Sequence, residues 1–310
     1  MSPNVAIVLA AGKGTRMKSD LPKVLVEVRR QPMIHYVLDA LTEGGVQRTI
    51  VVVGHRAELV RSTLAGRDHL EFVQQTEQLG TGHAVMVCRE HLARHHGPVL
   101  VVAGDSPMMQ SRSVAALLAE FHRRPAACIL GTACKEDPTG LGRVIRDPQG
   151  NFQAIVEEKD ATEAERRITE VNMSYYVFRC QELLDSLDHV RADNSQGEYY
   201  LTDCPGVLVS EGKEVRALNV LQPCEALSIN TTEELAAVEA AMGNGQCPMS
   251  NVQGSMIKDR VLNNFPTWPF SGRRYGDPRC VVVPRSHSRP TCRRPLNSEG
   301  EIGRLFGARS

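Results

Sequence analysis

The sequence lacks a surplus of charge of either sign and lacks any long apolar run. Its 310 residues carry 36 basic and 36 acidic side chains, so no global field attracts nucleic acid or a membrane surface. No stretch approaches the roughly 20 apolar residues that a membrane-spanning helix requires, and residues 1–4 lead into a short apolar run without the features of a signal peptide. These absences predict a cytoplasmic protein with no nucleic-acid or membrane partner.

Metal-binding and disulfide motifs are also missing. The nine cysteines are widely spaced, and none forms a C-x-x-C pair, which predicts reduced thiols that mostly serve as small core residues. The ten histidines include no H-E-x-x-H pattern, and we interpret His95 and His96 as part of a solvated turn rather than a zinc site. The sequence contains no hexapeptide repeat and therefore predicts no left-handed β-helix.

What the sequence does contain is an alternation of short apolar runs with amphipathic segments. The apolar, β-branched runs predict strands at 4–10, 49–53, 71–74, 99–103 and 127–133. Helices are predicted between them near 33–44, 57–65, 81–94 and 111–124. Uninterrupted apolar strands separated by helices indicate an α/β fold with parallel strands covered on both faces. Sheets of this kind bind ligands at the carboxyl ends of their strands.

After about residue 140 the pattern changes. Three further strands, predicted as a mixed or antiparallel insertion, lie at 142–146, 152–157 and 168–179. The remaining predicted elements are helices near 181–189 and 199–211, a strand at 214–220 and a helix at 231–241. Beyond Gly243 the composition is rich in Pro, Arg, Ser and Cys and shows no sustained period. We therefore predict a folded domain over 1–243 and an irregular, poorly ordered tail over 244–310.

The segment from Leu9 to Lys23, LAAGKGTRMKSDLPK, has the composition of a phosphate-binding loop. It matches neither a P-loop nor a dinucleotide fingerprint, because it contains no Gly-Lys-Ser/Thr triplet and Met17 stands in place of the third glycine. Gly12 and Gly14 allow a tight turn whose backbone N–H groups form a nest for anionic oxygens. The cations that can neutralise phosphate charge there are Lys13, Arg16, Lys18 and Lys23.

Two other segments follow predicted strands. In AGDSP, Asp105 comes directly after the strand 99–103, which places a hard oxygen ligand for Mg²⁺ at the edge of the sheet. In QLGTGHA (78–84), small residues allow the backbone to approach a flat ring closely, and nearby Gln75 can donate and accept hydrogen bonds at the edge of a base. The alternative interpretations are a turn aspartate and an ordinary helix N-terminus.

Together these segments resemble the bacterial N-acetylglucosamine-1-phosphate uridyltransferases, a branch of the sugar nucleotidyltransferases. The resemblance covers roughly residues 4–242 and rests on LAAGKGTRMKSDLPKVL, EQLGTGHA, GDSP, DPTGLGRVIRD, IVEEKDA, EVN and GEYYLTD. It implies a Rossmann-like nucleotidyltransferase fold with a mainly parallel central sheet and a smaller mixed-strand, sugar-binding subdomain. It also implies that 1–243 is a uridyltransferase domain without the β-helical acetyltransferase domain of the bifunctional family members.

The resemblance further implies which residues meet the substrates, UTP and N-acetylglucosamine 1-phosphate. Catalysis is assigned to Arg16 and Lys23. Nucleotide binding is assigned to Leu9, Ala10, Ala11, Gly12, Gly14, Gln75, Gly80 and Thr81. The implied sugar ligands are Gly142, Glu157 and Asn172. The implied cofactor is Mg²⁺, held by Asp105 and Asn230, and the oligomeric state is left open.

Several positions depart from the family pattern, and they lie around the predicted sugar pocket and metal site. Ala103 replaces a bulkier residue, Leu141 a tyrosine, Met173-Ser174 a Thr-Gly pair and Ser228 a glycine. Such changes bear on the exact substrate more than on the type of reaction. Ordinary structural interpretations also stay open: Glu157 as a solvated strand-end residue, and the two asparagines, Asn172 and Asn230, as turn or cap residues.

The implied reaction transfers a uridylyl group from UTP to N-acetyl-α-D-glucosamine 1-phosphate and gives UDP-N-acetylglucosamine, a peptidoglycan precursor, and pyrophosphate. Two alternatives stay open. One is a nucleotidyltransferase for another sugar phosphate or for a cofactor precursor. The other is a non-catalytic nucleotide-sugar-binding relative, against which the presence of Arg16, Lys23, Asp105 and Asn230 argues.

Overall fold

The computed structural model describes residues 2–14, 17 and 20–244. In chain order the strands are β1 (Val5–Ala10), β2 (Glu27–Val28), β3 (Gln31–Pro32), β4 (Arg48–Val53), β5 (Leu70–Gln74), β6 (Pro98–Ala103), β7 (Cys128–Cys134), β8 (Arg143–Arg146), β9 (Phe152–Val156), β10 (Glu170–Arg179) and β11 (Val215–Asn219). The helices are α1 (Met33–Glu43), α2 (Ala57–Thr63), α3 (Thr81–Met86), α4 (Arg89–Leu92), α5 (Ser111–Arg123), α6 (Glu163–Arg166), α7 (Cys180–Leu187), α8 (Cys204–Ser210) and α9 (Thr232–Gly243). Short 3-10 turns lie at Lys23–Leu25, Leu201–Asp203 and Pro223–Ala226.

Most of the strands form one sheet, in the order β11-β7-β10-β6-β1-β4-β5. Strands β6, β1, β4 and β5 run parallel to one another, and β11 runs parallel to β7. Strand β10 runs antiparallel to both of its neighbours, β6 and β7. The hairpin of β8 and β9 extends from one end of β10. The predicted α/β class with a mainly parallel central sheet is therefore confirmed.

The apolar strands supply side chains to both faces of this sheet. Along β1, Ala6 and Val8 belong to one buried apolar cluster, whereas Val5 and Ile7 belong to a second cluster. Because successive strand residues point to opposite faces, these two clusters lie on opposite sides of the sheet. Burial on both sides explains why the strands are uninterrupted apolar runs and not alternating ones.

The prediction that 168–179 belongs to the insertion is wrong, because β10 lies inside the central sheet between β6 and β7. Its residues Tyr175 to Phe178 are almost completely buried and pair with both neighbours. The pairing register shifts between Asn172 and Tyr175, and the part of β10 before this irregularity also meets β8 at Val171. One strand of ten residues thus connects the sheet to the insertion.

Two predicted helices begin or end differently from the prediction. The segment 81–94 contains two short helices, α3 and α4, which are separated at Val87 and Cys88. The segment 199–211 begins as the 3-10 turn Leu201–Asp203 and continues as α8, with a proline in the first turn of the helix. Proline fits there because the first turn has no intrahelical partner for its missing N–H.

The cysteines only partly follow the prediction. Four of them, Cys88, Cys128, Cys180 and Cys204, are free and buried. Cys134 and Cys224 are disulfide-bonded, so the prediction of reduced thiols is wrong for these two. Leu221 N donates to Thr132 O at 3.4 Å, and this backbone contact brings the two cysteine-bearing segments together across a long stretch of sequence.

Among residues 2–14, 17 and 20–244, no helix combines the length and the apolar character needed to cross a bilayer. Helix α9 ends at Gly243, where the sequence predicts the end of the folded domain. The tail predicted beyond it falls outside the described residues, apart from Asn244. The division of the chain at residue 243 therefore stays a prediction.

Candidate active site

The carboxyl edge of the parallel strands brings the predicted site residues together. Strand β1 ends in the opening loop, β6 ends just before Asp105, and β5 ends just before Gln75. Because β6, β1, β4 and β5 are parallel, these three segments share one edge of the sheet. Strand β10 runs in the opposite direction, so Asn172, near its beginning, lies at the same edge.

In the opening loop, the backbone around the glycines matches the predicted turn. Gly14 has a φ of +68°, which favours glycine, and its carbonyl accepts from Met17 N at 3.0 Å. A Cβ at this position would lie 2.8 Å from Lys23 Cβ, so the glycine lets the loop pack directly on Lys23. Gly12 is exposed at the open side of the turn.

The strand end before the glycines supplies backbone atoms rather than functional side chains. Leu9 O accepts from Gly104 N at 2.9 Å, and Ala11 O accepts from the Gln78 side chain at 3.1 Å. Ala10 is buried in the core. These contacts hold the opening loop against both neighbouring segments of the site. The predicted catalytic residue Arg16 lies outside the described residues, as does Lys18.

Three predicted residues from distant parts of the sequence form a direct contact. The Lys23 ammonium donates to Asp105 Oδ2 and, at 2.7 Å, to Asn230 Oδ1. The Lys23 and Asp105 side chains are 14% and 24% exposed, so the group is partly buried but open to a ligand. The sheet edge thus brings the predicted catalytic lysine and both predicted metal ligands to one point.

Asn230 is not the N-cap of helix α9. That position is held by Thr231, whose hydroxyl accepts from Glu234 N and forms a capping box. Because Thr231 caps the helix, the Asn230 side chain makes other contacts. Its Oδ1 accepts from Lys23, and its Nδ2 donates to Ser228 Oγ at 3.3 Å. The cap interpretation of Asn230 is therefore wrong, and its amide oxygen faces the site.

The oxygens around Lys23 fit a hard divalent cation. The Lys23 ammonium contacts both the carboxylate oxygen of Asp105 and the amide oxygen of Asn230. These are ligand types that Mg²⁺ prefers. Within the described parts of the chain, no cluster of three or more His, Cys, Asp or Glu side chains could hold a metal by itself. The described residues therefore provide a partial donor set, of the kind that phosphate oxygens and water complete.

The predicted base-binding residues lie at the other end of the edge. Gln75 is 4% exposed and follows β5, while Gly80 directly precedes helix α3. Gly80 has a φ of +107°, and a Cβ there would lie 2.6 Å from Tyr199 O, so only glycine fits. Thr81 is exposed, but its hydroxyl oxygen accepts from Leu201 N at 3.0 Å and so helps to fix the loop.

The three predicted sugar ligands lie together beside the β8–β9 hairpin. Asn172 N donates to Gly142 O at 2.8 Å, and Asn172 Oδ1 accepts from Ser174 N at 3.2 Å. A Cβ on Gly142 would lie 3.5 Å from the Glu157 carboxylate oxygens and 2.9 Å from Ile155. A side chain at 142 would therefore fill the space above Glu157. Burial raises the pKa of Glu157, and the carboxylate of Asp160 adds to the effect.

Sequence reasoning missed three polar residues around this pocket. The hydroxyls of Tyr176 and Thr202 are buried, and they face the side chains of Asn172 and Glu157, respectively. Burial, together with nearby carboxylates led by Glu157, raises the pKa of Asp203 to about 6. The Tyr176 and Thr202 hydroxyls and the Asp203 carboxyl therefore lie beside the predicted sugar ligands. For Thr202 and Asp203, the only sequence signal was their place in the motif GEYYLTD.

The chain matches the family of MobA-like NTP transferase domains over residues 6–202. It is 44% identical over 241 residues to the bifunctional protein GlmU of Streptococcus gordonii, covering 77% of this chain and 52% of that protein. The bifunctional protein GlmU of Streptococcus suis is 45% identical over 244 residues, which are 78% of this chain and 52% of that protein. The chain thus spans about half the length of the curated relatives it matches.

Solved structures with the same fold are more distant in sequence. A UDP-glucose pyrophosphorylase complexed with UDP-glucose is 14% identical, with a TM-score of 0.64 over 78% of this chain and 99% of that structure. A candidate glucose-1-phosphate thymidylyltransferase from Bacillus anthracis, in complex with a sucrose, is 16% identical, with a TM-score of 0.63 over 76% of this chain and 94% of that structure. At such identities the likeness establishes the fold alone.

Proposed function

Because this chain belongs to the family of MobA-like NTP transferase domains, we propose that it transfers a uridylyl group from UTP to N-acetyl-α-D-glucosamine 1-phosphate. The products are UDP-N-acetylglucosamine and pyrophosphate. The observation that carries the proposal is the convergence of Lys23, Asp105 and Asn230 at the sheet edge, directly beside the glycine turn. The identity of 44% to about half of the bifunctional relatives and the motifs of the uridyltransferase family support the same reaction.

In this reaction an oxygen of the sugar phosphate attacks the α-phosphorus of UTP, and the bond to the β-phosphate oxygen breaks. The attacking oxygen is already ionised at neutral pH, so the chain needs no general base. Its task is to align the two substrates and to stabilise the negative charge of the departing pyrophosphate. The glycine turn offers backbone N–H groups for this purpose, and Lys23 can exchange its two present oxygen partners for phosphate oxygens.

Asp105 and Asn230 are the residues that would hold Mg²⁺. When bound, the metal ion supplies positive charge to the phosphate oxygens. Arg16 is proposed as a second cation for the phosphates on the strength of the sequence resemblance, because it lies outside the described residues. Leu9, Ala10, Ala11, Gly12 and Gly14 are proposed as nucleotide-binding residues, chiefly through their backbone.

The sugar is proposed to bind over Gly142, between Glu157 and Asn172. The absence of a side chain at Gly142 leaves the Glu157 carboxylate accessible, and a carboxylate can accept hydrogen bonds from sugar hydroxyls. The buried hydroxyls of Tyr176 and Thr202 face Asn172 and Glu157, and they add polar groups beside the proposed sugar ligands.

A second candidate is transfer to a different sugar 1-phosphate. It is favoured by the apolar side chains at two of the departures from the family pattern: Met173 is buried in the core, and Leu141 packs against the same core. Neither can donate a hydrogen bond to a substrate, unlike the threonine and the tyrosine that the family pattern has at these positions.

Pyrophosphate release distinguishes these possibilities. The full chain is incubated with UTP, Mg²⁺ and, in separate reactions, the 1-phosphates of N-acetylglucosamine, N-acetylgalactosamine and glucose, with a control lacking any sugar phosphate. We expect the fastest release with N-acetylglucosamine 1-phosphate. Faster release with another sugar would favour the second candidate. No release with any of them would contradict the proposed reaction.

A further inference from the structure

The side-chain amide of Gln75 is held in one orientation. Its Nε2 donates to Gly80 O at 3.1 Å and lies 3.1 Å from His83 Nδ1. A backbone carbonyl can only accept, so the amide nitrogen and not the amide oxygen must face Gly80. Since the same nitrogen faces His83, Nδ1 of that ring must accept as well. This contact requires the ring tautomer that carries its hydrogen on Nε2.

Two backbone interactions make the opposite orientation of the amide unfavourable. Gly80 O also accepts from Ala84 N at 3.1 Å, in the first turn of α3, so its position is fixed by the helix. A reversed Gln75 would place its own carbonyl oxygen against this acceptor. Helix α3 is itself anchored, because Gly82 N donates to Tyr199 O at 2.7 Å.

We infer that His83 is a positioning residue that sets the nucleobase specificity of the site by fixing the amide of Gln75. This inference rests on the proposed function, in which Gln75 meets the base of the nucleotide. With both N–H groups of the amide engaged by Gly80 and His83, Oε1 is the group that remains for a ligand. It makes no hydrogen bond within residues 2–14, 17 and 20–244.

A fixed acceptor selects among the pyrimidines by their N3 atom. In uracil N3 carries a hydrogen and donates, whereas in cytosine N3 is an acceptor and would face Oε1 with no proton between them. The site therefore accepts uracil and rejects cytosine for as long as the amide cannot turn over. Without the acceptor at position 83, one N–H group of the buried Gln75 amide loses its hydrogen-bond partner. The free-energy difference between the two orientations of that amide then becomes smaller.

The variants His83→Phe and His83→Asn test the inference. Phe keeps a flat ring without an acceptor, whereas Asn places an amide oxygen close to the position of Nδ1. We expect His83→Phe to lower the ratio of kcat/KM for UTP to that for CTP by about threefold to tenfold, the range associated with one hydrogen bond. The change should lie in KM for UTP with kcat maintained, because base recognition is remote from the reacting phosphate. His83→Asn should restore most of the ratio.

The outcomes separate this inference from the proposed function. If the wild type does not prefer UTP to CTP, the proposed nucleotide and the inference are both wrong. If the wild type prefers UTP and His83→Phe keeps the full ratio, only the inference is wrong. The ¹⁵N NMR spectrum of the His83 ring provides an independent measurement on the unaltered protein. We expect Nδ1 of the ring to carry no hydrogen. A hydrogen on Nδ1 would overturn the inference, and this result does not depend on whether either variant folds.

Discussion

Replacing Asp105 with Asn tests the proposed cation site, whose residues come from distant segments of the sequence. The substitution preserves the shape of the side chain and removes one negative charge. Asp105 is the only carboxylate among the three residues that meet at this point, since Lys23 is a cation and Asn230 a neutral amide. In the variant, positions 105 and 230 would offer two neutral amides to a divalent cation.

The expected effect on turnover is large. Mg²⁺ in phosphate-transfer sites is held by one or two carboxylates together with substrate phosphates, so a donor set that contains a single carboxylate cannot spare it. Loss of one preorganised charge partner of the transition state costs on the order of a hundredfold or more in kcat, which corresponds to about 2.7 kcal/mol. We therefore expect Asp105→Asn to lower kcat at least about a hundredfold.

The expected effect on stability is small. The pair of Asp105 and Lys23 is partly buried, so we expect its loss to cost about 1 kcal/mol of the free energy of unfolding, the upper end of the range for exposed pairs. In the variant, the amide oxygen can still accept a hydrogen bond from Lys23. For a domain of this size, 1 kcal/mol corresponds to a change of about 2–4 °C in Tm, so the melting temperature should move by no more than this.

Steady-state kinetics at varied Mg²⁺ and thermal melts of Asp105→Asn provide the assay. A suitable control is Asp188→Asn, which removes a carboxylate from an exposed ion pair with Arg89 and should change neither turnover nor Tm appreciably. Near-wild-type turnover of Asp105→Asn would mean that the metal is held elsewhere. Lost turnover accompanied by a collapse of Tm would identify Asp105 as a structural turn residue instead.

Three further predictions follow from other parts of the chain. UTP should be preferred to ATP and GTP by at least about tenfold in kcat/KM, because a mismatched hydrogen bond at Gln75 costs on the order of 1–3 kcal/mol; equal use of the three nucleotides would exclude the uracil assignment. A chain that ends at Gly243 should retain uridylyl transfer, since every candidate ligand precedes that residue, and a folded but inactive truncated chain would contradict this. The pKa of Asp203 is raised from 3.8 to about 6. Between these two pH values the folded protein retains a proton on Asp203 that the unfolded chain has released. The contribution of Asp203 to the free energy of unfolding therefore falls as the pH rises from about 4 to about 6. Asp203→Asn removes this effect and should raise Tm relative to the wild type by about 2–4 °C at pH 7, but not at pH 4. The shift corresponds to about 1 kcal/mol after allowance for solvent screening. A difference in Tm that is the same at both pH values would contradict this prediction.

The sheet was predictable because its strands are short apolar runs between helical segments. The order of those strands was not, since an apolar run indicates burial on both faces but not which neighbours it meets. Strand β10 illustrates this: its buried residues Tyr175 to Phe178 fit a central strand as well as a strand of the insertion. The short hairpin of β2 and β3, with two residues in each strand, is too brief to leave a periodic signal.

The position of the candidate site residues in the fold was predictable where it depends on strand ends. Asp105 and Gln75 each follow an apolar run, and parallel strands place such positions on a common edge. The contact of Lys23 with Asn230 joins residues that are 207 positions apart and depends on how α9 packs, which no local pattern encodes. The hydrogen bond between Gln75 and His83 likewise requires knowledge of the turn at Gly80.

The most direct test of the proposed reaction follows the α-phosphorus of UTP. The full chain is incubated with UTP labelled at the α-phosphate, N-acetylglucosamine 1-phosphate and Mg²⁺, and the products are separated and identified. Attack at the α-phosphorus predicts that the label appears in UDP-N-acetylglucosamine while unlabelled pyrophosphate is released. Label that appears only in UMP or UDP, or that stays in UTP, would contradict uridylyl transfer by this protein.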